Sequence, residues 1–267
     1  MQFWYRTFWG ENGTLCFKRS RIDIEGQHSD DHIVRQISKG ESFYEEELLN
    51  YLTIYGPHGG LYVDVGANIG NHSVFFGKFL ADSLLCFEPS NALHVLLERN
   101  LRINNVRNYK IFTCALGASR KKGRLVLPDT SVANVGMTRV EEVPSGEGSG
   151  ESLVEIRSLD DVIAEISVGT ARAPVRLIKI DVEGMELEVL KGSEETLQQD
   201  KPHLVVEAAT NVEKEKLDSY LDRFGYTSVR CFGATPTYHY INPDVHKLPS
   251  LSLMYRLVRR IKGVLGR

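Results

Sequence analysis

Leu61-Tyr-Val-Asp-Val-Gly-Ala-Asn-Ile-Gly-Asn-His-Ser73 decides the fold. Its first five residues are a short apolar run of strand character. The chain then breaks at Gly66 and Gly70, with Ala67 and Asn68 between them, and enters an apolar helical stretch at residues 74–81. Strand, glycine turn and helix form the first unit of a doubly wound sheet, in which a ligand sits at the turn. Asp64 lies at the strand end, and its carboxylate is expected to face the crevice. Such a carboxylate repels a pyrophosphate and attracts an ammonium. The glycine spacing is Gly-x-x-x-Gly, so the dinucleotide fingerprint Gly-x-Gly-x-x-Gly fails. An acid beside a glycine turn suits S-adenosylmethionine (SAM), whose methionine end bears an amino group and a carboxylate.

Outward from this unit, helices and strands alternate. Upstream, residues 1–40 are expected to be an irregular extension packed on the core, and residues 41–55 a helix stopped by Gly56-Pro-His-Gly-Gly60. Downstream, strands are expected at 83–87, 109–115, 175–180, 203–206 and 227–232. Further extended pieces are expected at 123–127 and 238–241. Helices are expected at 91–104, 185–197 and 212–224, and Ser158 reads as the N-cap of another with Asp160 and Asp161 in its first turn. The tract Ser145-Gly-Glu-Gly-Ser-Gly150 reads as a surface loop. This alternation predicts an α/β fold, a doubly wound, mostly parallel sheet with helices on both faces, over residues 41–245.

Composition narrows the function. A hydrophobic share of 42%, a charged share of 25% and a net charge of −3 describe an ordinary globular domain with no general pull toward nucleic acid. No apolar run reaches membrane-span length, and the first residues lack the layout of a signal peptide, so a cytoplasmic protein is expected. Cys16, Cys86, Cys114 and Cys231 form no Cys-x-x-Cys pair and read as reduced thiols, mostly core filler. Of the histidines, His72 could act as a base or simply pack, and His58, His203 and His239 show no partner pattern. Residues 246–267 read as a basic amphipathic helix. Its last 17 residues carry five basic side chains and no acid, a pattern that suits peripheral contact with an anionic inner membrane face, or packing on the domain or a second copy.

Four strand ends carry an acid: Asp64, Glu88, Asp181 and Glu207. Ligands sit at the carboxyl edge of such a sheet, so these acids are candidates for one site. Glu88 follows Gly70 by 18 residues, near the distance at which these folds set an acid on a ribose diol. In Ile178-Lys-Ile-Asp-Val-Glu-Gly-Met-Glu-Leu-Glu-Val-Leu-Lys-Gly192, Asp181 leaves the strand and Glu183 and Gly184 turn the chain. Those carboxylates could take a proton from an acceptor hydroxyl, orient it, or bind a divalent cation. Glu186 and Glu188 are expected to face solvent.

At this point the chain resembles the FkbM family of SAM-dependent methyltransferases, from about Phe43 to Glu207. The resemblance rests on Val63-Asp-Val-Gly-Ala-Asn-Ile-Gly70, Phe87-Glu-Pro89, Ala115-Leu-Gly117, Lys179-Ile-Asp-Val-Glu-Gly184, Leu190-Lys-Gly192 and Pro202 to Glu207. It implies a class I methyltransferase Rossmann-like fold, SAM as cofactor, and mainly O-methylation of sugars or natural products. It implies that Asp64, Gly66, Asn68, Gly70, Glu88 and Ala115 lie near the cofactor, with Glu45 of Phe43-Tyr-Glu45 upstream. Asp181 and Glu183 are implied near the reaction centre. Asn134-Val-Gly136 falls where related chains bring a loop toward the acceptor, or is an ordinary turn. Asp181 is the first candidate for proton removal, with Glu183 and Glu207 behind it; a divalent cation on these acids would be the other route. The expected acceptor is a sugar or glycan hydroxyl. The rivals are N-methylation of a small molecule and a non-catalytic SAM-binding scaffold subunit.

Overall fold

The computed structural model describes residues 1–11, 14–26, 32–126, 139–143, 153–169 and 171–246, with side chains described for all of these except 6–11, 14–19 and 142. The loop at 145–150, Asn134 to Gly136 and the basic stretch from 247 onward lie outside the described residues. No helix among the described residues is long and apolar enough to cross a membrane.

The central sheet has seven strands. They are β3 (Leu61–Val65), β4 (Ser83–Phe87), β5 (Tyr109–Phe112), β10 (Val175–Ile180), β11 (His203–Glu207), β12 (Thr227–Phe232) and β13 (Thr237–Ile241), in the order β12-β13-β11-β10-β3-β4-β5. All neighbours run parallel except β13, which is antiparallel to both β11 and β12. Every residue of β3 is buried, as expected of a strand covered on both faces. Alternate side chains serve two cores. Tyr62, Leu177 and Val205 meet Leu49, Leu52, Phe75, Phe76 and Leu97 of α2 (Glu46–Tyr55), α3 (Asn71–Phe79) and α4 (Asn91–Ile103). Val63, Ile178 and Val206 meet the opposite layer, α5 (Leu159–Ile166), α6 (Glu186–Lys191), α7 (Glu194–Gln199) and α8 (Asn211–Asp222). Ser158 caps α5 as expected, accepting from the Asp161 amide.

The structure departs from the sequence expectation in four places. Residues 1–40 are not irregular: β1 (Gln2–Glu11) and β2 (Thr14–Asp23) form an antiparallel hairpin, and α1 (His32–Gly40) follows. Phe3 and Tyr5 point inward to meet the Phe43 ring edge-on, while Trp4 between them is 58% exposed. Helix α2 starts at Glu46, because Glu45 sits in the left-handed region at φ 55°. The third strand ends at Phe112; Ala115–Leu116 is a separate strand, β6, in a second sheet. That sheet has the order β6-β9-β7-β8, with β7 at Lys121–Val126, β8 at Arg139–Glu142 and β9 at Leu153–Arg157. The helix expected over 185–197 is broken at Gly192 into α6 and α7, where the backbone passes so close to Gly117 that a Cβ on Gly192 would lie 2.0 Å from its carbonyl oxygen.

Candidate active site

The carboxyl ends of β3, β4, β10 and β11 open into one pocket of about 510 Å³. That is ample for a nucleoside-sized ligand, since such sites run to roughly 300–1,000 Å³. One half is built on the glycine turn. Gly66 has φ 76°, and a Cβ there would lie 1.8 Å from the Asp181 carbonyl oxygen, so only glycine fits. The Gly66 and Ala67 amides both donate to the Phe87 carbonyl. The Asn68 amide donates to Glu88 Oε2 and the Ser90 amide to Glu88 Oε1, each at 2.9 Å. Each Glu88 oxygen thus keeps a lone pair for a ligand. Burial, only partly offset by these amides and by Lys179, pushes the Glu88 carboxyl up to about 7. Leu93, Cys114, Ala115, Leu116, Val140 and Met185 give this half an apolar wall.

The other half is acidic. Carboxylate oxygens of Asp181, Glu183 and Glu207 lie within 4.8 Å of one another. Asp181 and Glu207 share a hydrogen bond, so one of the two carries a proton. Burial opposes ionisation of both. For Asp181 burial is the largest single influence, but the Lys179 ammonium, the hydrogen bond with Glu207 and His72 together outweigh it and hold the carboxyl below its ordinary value; for Glu207 burial and the Asp181 charge act together and raise it. Glu207 is therefore the proton holder and Asp181 the anion. Glu183, at the left-handed φ of 54°, is exposed and is also raised, by burial of its inner side and by Asp181. Burial and the nearby acids Glu45, Asp181 and Glu207 push the Tyr44 hydroxyl up to about 12, so it stays a hydrogen-bond donor at neutral pH. His72 lines the pocket with Nε2 3.0 Å from Glu45 Oε2.

Of the residues singled out in the sequence, Gly66, Asn68, Glu88, Ala115, Asp181, Glu183 and Glu207 line the pocket. Asp64, Gly70 and Glu45 do not. Asp64 is fully buried beneath the turn and faces away from the crevice. It accepts from Ser73 Oγ at 2.5 Å, and the ammonium it meets is the chain's own Lys179, 3.5 Å away. Gly70 caps α3 at φ 89° and packs on Leu97. Glu45 supports the site from behind through His72. Glu186 is likewise buried rather than solvent-facing, accepting from the Val182 and Gly184 amides so that it shapes the turn after Asp181. Glu188 pairs with Lys191. Sequence reasoning missed Lys179 and Tyr44, together with Thr235 on the β12–β13 turn. The signal for Lys179 was a lysine flanked by Leu177, Ile178 and Ile180 in a central strand, where an unpaired charge is prohibitively costly.

With this geometry in hand, the family model of the methyltransferase FkbM domain matches residues 64–228. The chain belongs to the FkbM methyltransferase family. Two curated relatives are methyltransferases. Methyltransferase 1 of Beauveria bassiana (strain ARSEF 2860) is 28% identical over 152 residues, covering 51% of this chain and 59% of that protein. Methyltransferase sdnD of Sordaria araneosa is 30% identical over 167 residues, covering 52% and 62%. The chain thus spans about three fifths of the length of these relatives. The crystal structure of a methyltransferase FkbM from Methylobacillus flagellatus KT superposes with a TM-score of 0.54 at 20% identity, covering 76% of this chain and 49% of that one. That likeness shows the shared class I methyltransferase fold.

Proposed function

We propose that this chain transfers a methyl group from SAM to a hydroxyl oxygen, with a sugar or glycan-type molecule as acceptor. The observation that carries this is the division of one pocket. A carboxylate with a free lone pair on each oxygen stands at the glycine turn, and a second, proton-sharing pair of acids stands across from it. Glu88 fits a ribose diol, the Gly66 turn admits a ligand against bare backbone, and the apolar wall suits an adenine ring. SAM supplies a methyl group already activated on a sulfonium, so the protein needs no nucleophile of its own. Its task is to align the acceptor and help remove its proton. Asp181, held as the anion by Lys179, is the group to take that proton, and Glu207 and Tyr44 can donate to the acceptor oxygen. The acids could also hold a divalent cation; Lys179 already balances part of their charge.

Isothermal titration with SAM tests the cofactor. Mass spectrometry of glycans from cells with and without the protein tests the acceptor, with a one-methylene difference on a sugar as the expected result. A chelator that abolishes transfer, restored by Mg²⁺ or Mn²⁺, would establish the cation route. Methylated amines in place of methylated sugars would instead establish N-methylation. SAM binding without any transfer would leave a scaffold role.

A further inference from the structure

We propose that Lys179 is a positioning residue that couples the Gly66 turn to Asp181, so that both halves of the pocket are held in a single arrangement. The ammonium donates to the Gly66 carbonyl at 3.1 Å and lies 3.2 Å from Asp181 Oδ2 and 3.5 Å from Asp64 Oδ1. One of the ammonium's three protons goes to the Gly66 carbonyl, and the Asp181 and Asp64 carboxylates lie within ion-pair distance of the same nitrogen. The Gly66–Ala67 peptide is clamped from both sides, its amide bound to the Phe87 carbonyl and its carbonyl bound to Lys179. Two further contacts join the same segments. The Asp181 amide donates to the Val65 carbonyl at 3.1 Å, and the Gly66 Cα lies against the Asp181 carbonyl. Asp64 ties the ammonium to α3 through Ser73. The Lys179 side chain is only 4% exposed.

A plainer role would be to neutralise buried Asp64. A buried ion pair is poor stabilisation compared with apolar residues of the same shape. Neutralisation alone also needs no bond to Gly66 and none to Asp181, both of which border the pocket. The ligand used in the test is SAM, so that part rests on the function proposed above.

The test compares Asp64→Asn with the double variant Asp64→Asn plus Lys179→Met, which removes the ammonium together with its fully buried counter-charge Asp64. The readouts are thermal unfolding, SAM titration calorimetry and the ¹⁵N amide resonance of Ala67. The double variant should unfold near the temperature of Asp64→Asn, bind SAM roughly ten- to a hundredfold more weakly than it, and show a displaced Ala67 resonance. Equal SAM affinity and an unmoved Ala67 resonance would overturn the proposal and leave Lys179 as a counter-charge. If the double variant does not fold, the wild-type Lys179 side-chain ¹⁵N resonance decides. It should move when SAM saturates the protein, and a signal that ignores SAM overturns the coupling. If the wild-type protein binds no SAM at all, the cofactor assignment fails, and the Ala67 resonance of the double variant, or of Lys179→Gln where the double does not fold, still decides whether Lys179 holds the turn.

Discussion

At Glu88, the burial that lifts the carboxyl to about 7 also makes ligand affinity depend on pH. Only the ionised carboxylate can accept from two hydroxyls. SAM affinity should therefore fall as pH drops from about 8 to about 6, approaching tenfold per unit below 7, and titration calorimetry across that range checks it. Glu88→Ala should weaken SAM binding by roughly 1.5–3 kcal/mol with the fold retained; unchanged affinity removes Glu88 from the ribose. Asp181→Asn keeps shape and loses charge. Methyl transfer by this variant should fall on the order of a hundredfold, with SAM affinity changed much less. Full turnover would dismiss Asp181 as proton acceptor. Glu88, Asp181 and Glu207 were legible because an acid at the end of an apolar strand has few other places to go. Asp64 was misjudged because sequence shows that a residue is near a strand end but not which face its side chain takes. One position short of the end, it points under α3 to Ser73 and Lys179. Glu186 misled for a similar reason: an acid in a first helical turn reads as solvated, and here the turn before it folds back to bond it.

Among elements, the central strands were legible nearly to the residue. Short, mostly apolar runs that end at or beside an acid have one interpretation between helices. What stayed hidden were features set by distant contacts. The break between α6 and α7 depends on Gly117, 75 positions earlier, approaching Gly192. Gly192→Ala should therefore destabilise the protein by about 1–3 kcal/mol, more than helix propensity alone would suggest, because the new methyl meets a backbone oxygen that cannot swing aside. Urea unfolding measures this, and an unchanged midpoint would mean that the two segments separate at no cost. The N-terminal hairpin escaped because its aromatic residues are clustered, which masks the in-out alternation of Phe3, Trp4 and Tyr5 until Phe43 and Phe75 supply the inner surface.

Across the whole molecule, β11, β13 and α2 are joined by a histidine chain that sequence spacing could not announce. His203 Nδ1 and His239 Nε2 are 2.9 Å apart, and His239 Nδ1 meets the Tyr51 hydroxyl at 3.1 Å. Burial first, then the neighbouring histidines, push His203 down to about 2 and His239 down to about 4. Both are neutral in the folded state and would take protons near pH 6.5 when unfolded. The unfolded chain then binds more protons, so stability should decline as pH falls below about 6.5 and go on declining toward 4. Melting temperature against pH checks this, and His239→Gln, which cannot titrate, should flatten the slope. The basic stretch 251–267 calls for its own assay: on the membrane proposal, the full chain should sediment with anionic liposomes at low salt, and the chain lacking it should not. Another practical consequence comes from the thiols. Cys86 and Cys114 are buried and pushed up by that burial, whereas Cys231 on β12 is exposed. It stands three residues before Ala234 and four before Thr235, which border the pocket. Among the described thiols a maleimide dye should choose Cys231, giving a fluorescent reporter beside the pocket mouth with no engineered cysteine, suited to screening candidate acceptors by the change in emission each one causes.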